Sequence, residues 1–492
     1  MTGNGNQILL IHHPTVALRI SGIDKSGFSE FRDKSVYLGN IYRKIMPASL
    51  TRVASIIEQN LNLGVKILDV RMAGYDKTTT FKTFDWEGFE VEIQRIGEIF
   101  DFANEEIASS EWLGFSSHFT FESGVVRDFI AHARKINPKI KVMVGGADVR
   151  VRSEEYITFG ADLAFTGDFD PKEITKFDGK PRIVDSYKHP FDKLISPAFH
   201  KLENLADYTD SHDGPPPNGV TTPIGFIYFT RGCPRECDFC ESRQTGYEVL
   251  DVSSSIDMIE NYYKAGIRTL NIVDDNLLFS INSRNHREHL IAIFAYMKQK
   301  GFAWEFPNGL EIGLLKNGQV DHELMRALFS HTINEKRKII GAYRLYVPIE
   351  TFDERAHYRK LKPLEDQNNI INFLAKLELP EVDFGIVLPP DATELTFSHI
   401  EQGYSQIKNL LRHTSKTKAR YAIFHLIPIA QFRNMPTKYS VSDFPEGWNF
   451  HFPVYDGKHF TARELFERKL NVIKNIDFQN YLNMAKGQYS YS

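Results

Sequence analysis

The chain predicts an α/β protein: an N-terminal Rossmann-like parallel sheet domain, then a partial (β/α) barrel of TIM type, then a C-terminal extension of helix and aromatic residues. Three observations predict this. Short apolar runs alternate with amphipathic helical stretches over residues 1–170, and strand-and-helix units recur through residues 225–440. Between them, residues 171–224 read as a linker with poor apolar periodicity and the run Pro215-Pro216-Pro217. Residues 441–492 form the extension.

In the first domain, Gln7-Ile-Leu-Leu-Ile11 is a buried strand that runs into His12-His13-Pro14. The stretch from Pro47 puts Leu50, Val53, Ala54, Ile56 and Ile57 on one helical face, and Val65–Val70 returns to strand. Trp112–Ser117 is a strand-to-loop step, Ser123–Ile136 a helix, Lys141–Gly146 a strand with a glycine turn, and Asp162–Asp168 the last strand. Ligands of such sheets sit at the carboxyl ends of the strands. The loops to watch are therefore His12–Thr15, Ser116–His118, Gly145–Asp148 and Thr166–Asp168.

In the second domain, strands are predicted at Ile224–Thr230, Thr269–Val273, Ala303–Leu310, Arg344–Ile349, Val382–Leu388 and Ala422–Ile427. Polar residues cluster where these apolar strands end: Asp274-Asp275-Asn276, Asn308, Glu350-Thr351, and Pro389 to Thr393. Each alone reads as a helix cap or a solvated turn; gathered at one barrel mouth they read as a site. The extension carries Phe444, Trp448, Phe450, Phe452, Tyr455 and Phe460 before a helix over Ala462–Ile476, which packs on the barrel or lines a substrate entrance.

All three cysteines of the chain fall in one loop, Cys233-Pro-Arg-Glu-Cys237-Asp-Phe-Cys240. Thiolates are soft ligands that suit iron-sulfur clusters and zinc. Zinc needs a fourth ligand; no histidine lies near this loop, so one of the 17 would have to arrive from a distance. A disulfide is disfavoured because three is odd and the sequence shows no export signal.

The C-x3-C-x2-C spacing, with Phe239 before the last cysteine, resembles the signature loop of the radical S-adenosylmethionine (radical SAM) enzymes. The first 168 residues add to this. A strand ending near a proline, a "P-x-x-L-x-x-[LV]-A" helix, then "G-[FI]-S", "V-G-G" and "D-x-x-x-x-G-[ED]" resemble the cobalamin-binding domain that precedes the barrel in one large class of that family. "V-D-D-N", "P-I-E-T-F-D-E", "L-P-P-D-A-T-E" and "F-H-L-I-P-I-A-Q-F" resemble its second-, fourth-, fifth- and sixth-strand motifs, which carries the likeness to about residue 435. The departures are specific. The Asp-x-His-x-x-Gly motif is absent after the first strand, and Asp210-Ser-His212-Asp-Gly214 is one residue short of it and lies in the linker. Asp148 stands where His is frequent, Asp168 replaces the commoner Glu, Pro348 replaces a glycine, and Ala430 and Gln431 replace Gly and Thr.

The resemblance implies that Cys233, Cys237 and Cys240 hold a 4Fe-4S cluster whose open iron binds S-adenosylmethionine. It implies that Phe239 packs near the adenine, that Asp274 meets the methionyl ammonium, and that Asn308 and Glu350 lie along the ribose and carboxylate. Cobalamin contacts would fall at Ser116, Ser117, Gly145, Gly146, Asp148 and Gly167, with no histidine of the protein on the cobalt. The implied chemistry is reductive cleavage of S-adenosylmethionine to a 5′-deoxyadenosyl radical, followed by methylation or rearrangement of an unactivated carbon. The alternatives are a cobalamin-free radical enzyme performing dehydration, epimerisation or cleavage, and a non-enzymatic iron-sulfur or cobalamin-sensing module. A methylthiotransferase is disfavoured, since that family needs three more cysteines in its N-terminal domain.

Composition narrows the partners. Net charge is -4 with no long basic run, so nucleic acid is not indicated. No apolar run reaches the ~18 residues that span a bilayer, and the N-terminus lacks a signal's basic start. The expectation is a soluble, cytoplasmic enzyme acting on a small molecule, with an electron donor such as flavodoxin or ferredoxin.

Overall fold

The computed structural model describes residues 8–38, 44–61, 63–185, 196–211, 214–235, 237, 240, 242, 245–280, 283–310, 315–316, 319–352, 364–412, 417–425, 440–441 and 443–485. The chain divides into two compact units: Met1–Ile20 with Leu38–Tyr208 and Ile427–Asn449, and Ser21–Tyr37 with Thr209–Leu426 and Phe450–Ser492.

The first unit is built on six strands, β1 (Ile8–His12), β2 (Val65–Asp69), β3 (Trp112–Ser116), β4 (Lys141–Gly145), β5 (Leu163–Phe165) and β6 (Arg182–Val184). Their spatial order is β6-β5-β4-β3-β1-β2, and every pairing is parallel. Apolar residues alternate between the two faces. Leu9 and Ile11 of β1 and Leu113 and Phe115 of β3 join a core with Val126, Phe129, Ile130 and Ala133 of the helix Ser123–Ile136. The strand order reverses between β1 and β3, where the connecting chains diverge and open a crevice at the carboxyl edge. The sequence reading ended this sheet at Asp168; β6 extends it from what reads as linker, pairing through three residues only. An antiparallel hairpin, Thr78–Trp86 with Phe89–Ile96, also escaped the sequence reading.

The second unit contains six further strands in sequential order, β7 (Ile224–Ile227), β8 (Thr269–Ile272), β9 (Ala303–Phe306), β10 (Ile339–Glu350), β11 (Glu381–Leu388) and β12 (Lys418–His425). These six pair in parallel, with helices between successive strands, as a (β/α) barrel segment requires; a short seventh strand, His331–Ile333, pairs antiparallel with the start of β10. Deep among the strands lies a charge ladder. Arg344 of β10 is 1% exposed and stands opposite Glu305 of β9 and Glu381 of β11 in register. Its guanidinium reaches Glu305 Oε2 at 3.1 Å and Glu381 Oε2 at 2.6 Å, and donates to the Ser211 hydroxyl and the Pro215 carbonyl. Burial alone would raise the Glu381 carboxyl, but the charges of Arg344, Arg420 and Lys418 hold it below the usual range. Such a ladder adds little net stability over an apolar core, but a slipped register would leave its charges buried and unpaired.

The C-terminal helix Ala462–Ile476 starts with a capping box between Thr461 and Glu464 and buries Leu465, Phe466, Leu470 and Ile473. The buried Lys469 on the same face donates to the His451 carbonyl at 3.4 Å, and burial pushes its ammonium down to about 7.

Two outcomes follow for stability. Arg344→Ala removes the cation shared by the buried Glu305 and Glu381, leaving Glu381 only its longer pairs with Lys418 and Arg420, and is expected to cost about 3 kcal/mol in denaturant unfolding. Lys469→Met is expected to raise the melting temperature near neutral pH. The folded state binds this proton more weakly than the unfolded chain, so the penalty is complete below about pH 7 and disappears as pH rises towards the ordinary lysine range. The advantage of the methionine variant therefore shrinks on going from pH 7 to pH 10, which paired melting curves measure.

Candidate functional site

The cysteine loop leaves β7 through a short ribbon in which Thr230-Arg231 pairs with Glu248-Val249, tied by Arg231 to Glu248 at 2.9 Å. Gly232 has a φ of 83°, and a Cβ there would lie 2.0 Å from the Gly246 carbonyl oxygen, so only glycine passes this point. Thr245 then holds Cys233 from both sides: its Oγ1 accepts from the Cys233 amide at 2.7 Å and its own amide donates to the Cys233 carbonyl at 3.1 Å.

The end of β8 supplies acceptors to the described residues of the loop and its root. Asp274 Oδ1 accepts from the Phe229 amide at 3.0 Å, the Thr230 amide at 2.5 Å and the Thr230 hydroxyl at 2.7 Å. Asp275 accepts from the Gly232 amide at 3.0 Å and the Ser242 hydroxyl at 2.7 Å. Asp274 is 3% exposed, and its Oδ2 is buried without a partner. Burial raises its carboxyl to about 7, against the lowering effect of the Thr230 and Phe229 hydrogen bonds.

Cys233, Cys237 and Cys240 line one cleft together with Arg235, Asp275, Asn276, Asn308, Gly309, Leu310 and Pro348. None of the three forms a disulfide. Among the described residues no three His, Cys, Asp or Glu side chains close around a single ion, as a zinc site would require. A cubane makes no such demand, because its thiolates bind different irons; the donor set and the cleft fit that group.

The expected S-adenosylmethionine contacts fall in different places. Asn308 lines the cleft and donates to the Val273 carbonyl at 3.0 Å. Asp274 stands behind the cysteine loop, its observed partners all at the loop's root. Glu350 is buried and is not among the residues that line the cleft; it follows a register shift between Pro348 and Glu350 and has a φ of 62°. A non-glycine residue in that region is uncommon and is held by its surroundings. Phe239 and His212 lie outside the described residues, as does the sixth-strand segment beyond His425. Asp275, Asn276, Arg235 and Thr245 are the cleft and loop residues that the sequence did not assign; the first two were visible as neighbours of Asp274.

In the first unit, the carboxyl edge at the β1/β3 reversal carries a second polar group. His12 Nδ1 lies 2.9 Å from Asp69 Oδ1, and Asp69 Oδ2 accepts from the Tyr208 hydroxyl at 2.9 Å. Ser116 at the end of β3 bonds Ser49 at 2.9 Å and His118 at 3.1 Å. Of the expected cobalamin residues, Ser116, Gly145, Gly146 and Gly167 are at least partly exposed, while Ser117 and Asp148 are buried. Asp148 accepts from Thr120 at 2.6 Å, Arg152 at 3.0 Å and Tyr156 at 2.7 Å, and the Tyr156 hydroxyl also reaches Ser117. These two residues brace the loops from within. A Cβ on Gly146 would meet the Ser117 carbonyl at 2.3 Å, whereas one on Gly145 would meet only Phe165, at 3.8 Å. Packing therefore requires Gly146 but not Gly145.

No family model matches the chain. It is 24% identical over 220 residues to the cytidylyl-2-hydroxyethylphosphonate methyltransferase of Streptomyces wedmorensis, covering 43% of this chain and 37% of that protein. The match thus spans little more than a third of that relative. The fold is that of the radical S-adenosylmethionine methyltransferase TsrM from Kitasatospora setae, solved with tryptophan substrate and a SAM analogue: TM-score 0.51, 12% identity, 85% of this chain and 72% of that one. It is also that of OxsB, a cobalamin-dependent S-adenosylmethionine radical enzyme solved with aqua-cobalamin: TM-score 0.53, 11% identity, 97% of this chain and 56% of that one. The fold class read from the sequence is the fold observed.

Asp274→Asn keeps the oxygen that three donors address and removes the buried charge. Because the folded-state pKa lies above the unfolded value, the charge penalty is full above about pH 7 and vanishes as pH falls to the ordinary carboxylate range. The variant is expected to melt higher than the parent at pH 8 and at the same temperature near pH 3.5; an equal difference at both would contradict this.

Proposed function

We propose that the chain is a radical S-adenosylmethionine enzyme that cleaves S-adenosylmethionine reductively at a 4Fe-4S cluster held by Cys233, Cys237 and Cys240, and uses cobalamin to methylate or rearrange an unactivated carbon of a small molecule. The observation that carries this reading is one cleft at the carboxyl ends of the barrel strands, where all three cysteines of the chain meet Asn308 and Pro348; Thr351, Pro389 and Thr393 line a separate pocket. The shared fold with TsrM and OxsB supports it.

When bound, the cluster supplies an electron to the sulfonium and the corrinoid carries a methyl group. The chain's own part is placement. Asp274 and Asp275 hold the loop that carries the thiolates. Asn308, in the cleft wall, would border the nucleoside. In the first unit Ser116, Gly145, Gly146 and Gly167 would border the corrin, while Ser117 and Asp148 brace those loops from within. A flavodoxin or ferredoxin is the matching electron donor, and a reducing cytoplasm the matching compartment. No helix among the described residues is long and apolar enough to cross a membrane. The relative named for a phosphonate substrate and the neighbour solved with tryptophan both favour a small molecule.

The internal bonding of Ser117 and Asp148 favours a second reading, in which the first unit is a scaffold and the radical chemistry proceeds without cobalamin. Anaerobic purification with cobalamin supplied separates the two. About four iron and four sulfide per chain with stoichiometric cobalt is the result expected of the first reading; iron without cobalt selects the second. Cys237→Ala is expected to abolish both iron retention and 5′-deoxyadenosine release under dithionite, and zinc in place of iron in the parent would overturn both readings.

A further inference from the structure

The three cysteines are not equivalent. Cys233 is 8% exposed, while Cys237 and Cys240 are partly exposed. The backbone of Cys233 is fixed on both sides by Thr245, and its sulfur faces a donor that neither carboxylate of the β8 end provides. Asn276 Nδ2 lies 3.5 Å from Cys233 Sγ, and the Asn276 side chain is 6% exposed. Sulfur is larger than oxygen, so this separation is that of an N–H···S hydrogen bond. The run Asp274-Asp275-Asn276 thus divides its work: two acids accept from the loop's amides and hydroxyls, and the amide that follows donates to a thiolate.

We propose that Asn276 is a positioning residue that sets the reduction potential of the cluster through its hydrogen bond to Cys233. The inference rests on the reading of the cysteines as cluster ligands. A ligating thiolate carries more negative charge when the cluster is reduced, and a donor on that sulfur therefore stabilises the reduced form more than the oxidised one and raises the potential. The donor is buried, so water does not replace it when the site is open. The adjacent Asp275 lines the same cleft, and its negative charge acts in the opposite direction by disfavouring added electron density. Asparagine at 276 offsets that charge; an aspartate of the same shape would remove the donor and add to it.

The test uses the full chain, reconstituted anaerobically, as parent, Asn276→Leu and Asn276→Asp. Iron and sulfide are measured first, then the midpoint potential by an electron-paramagnetic-resonance-monitored titration without S-adenosylmethionine. The expected result is a midpoint more negative in Asn276→Leu than in the parent, and more negative still in Asn276→Asp. A cluster-loaded Asn276→Leu with the parent's midpoint would overturn the proposal. Should the leucine variant fail to take up iron, Asn276→Asp, which keeps the shape, carries the test alone, and a midpoint equal to the parent's overturns it equally. A parent that takes up no iron would instead overturn the cluster reading on which this rests.

Discussion

The candidate site depends on two carboxylates at one strand end that hold the root of the cysteine loop. The chain must bring three thiolates to one cleft, and buried amides without acceptors are costly, so acceptors for Phe229, Thr230 and Gly232 come from the neighbouring strand. Asp274 and Asp275, at the end of β8, take five donors from the loop and its root. The arrangement also explains why a carboxyl group is tolerated where burial opposes its charge: three converging donors recover part of what desolvation costs.

That grip works only if β7 and β8 are in register. The register of the barrel is specified further along by charge. Glu305, Arg344 and Glu381 stand side by side on three successive strands, and Asp383 meets Arg420 on the next pair. An apolar interior would pack as firmly but would tolerate a slip. Parallel strands then deliver all their loops to one edge, which is why residues far apart in the chain, such as Cys233 and Pro348, line the same cleft. In the first unit the same geometry is used differently: the strand order reverses between β1 and β3, and the divergence opens the edge where Ser116 and His118 sit.

Much of this was legible from pattern. Apolar runs of strand length separated by helical periodicity located eleven of the twelve numbered strands, β10 and β12 with late starts, and missed β6; the cysteine spacing located the cleft. What escaped was local structure with weak hydrophobic pattern. Thr78–Trp86 is an exposed strand rich in threonine, and its pairing with Phe89–Ile96 is a hairpin matter rather than a core one. β6 is three residues long and exists because β5 offers it a free edge.

By itself the sequence determined the alternation of strands and helices and the grouping of every thiol in one loop, because these follow from side-chain periodicity and composition; which glycines are unavoidable was decided by the close approaches at Gly146 and Gly232. Which polar residues touch which was decided only by the tertiary structure. Asp274, Asp275 and Asn276 read as one polar strand end, yet they address an amide pair, a glycine amide with a serine, and a sulfur. Ser117 and Asp148 read as members of an exposed loop and are buried braces. Adjacent residues at a strand end point in different directions, and the partner each meets comes from chain that lies tens of residues away, so no local pattern carries that information.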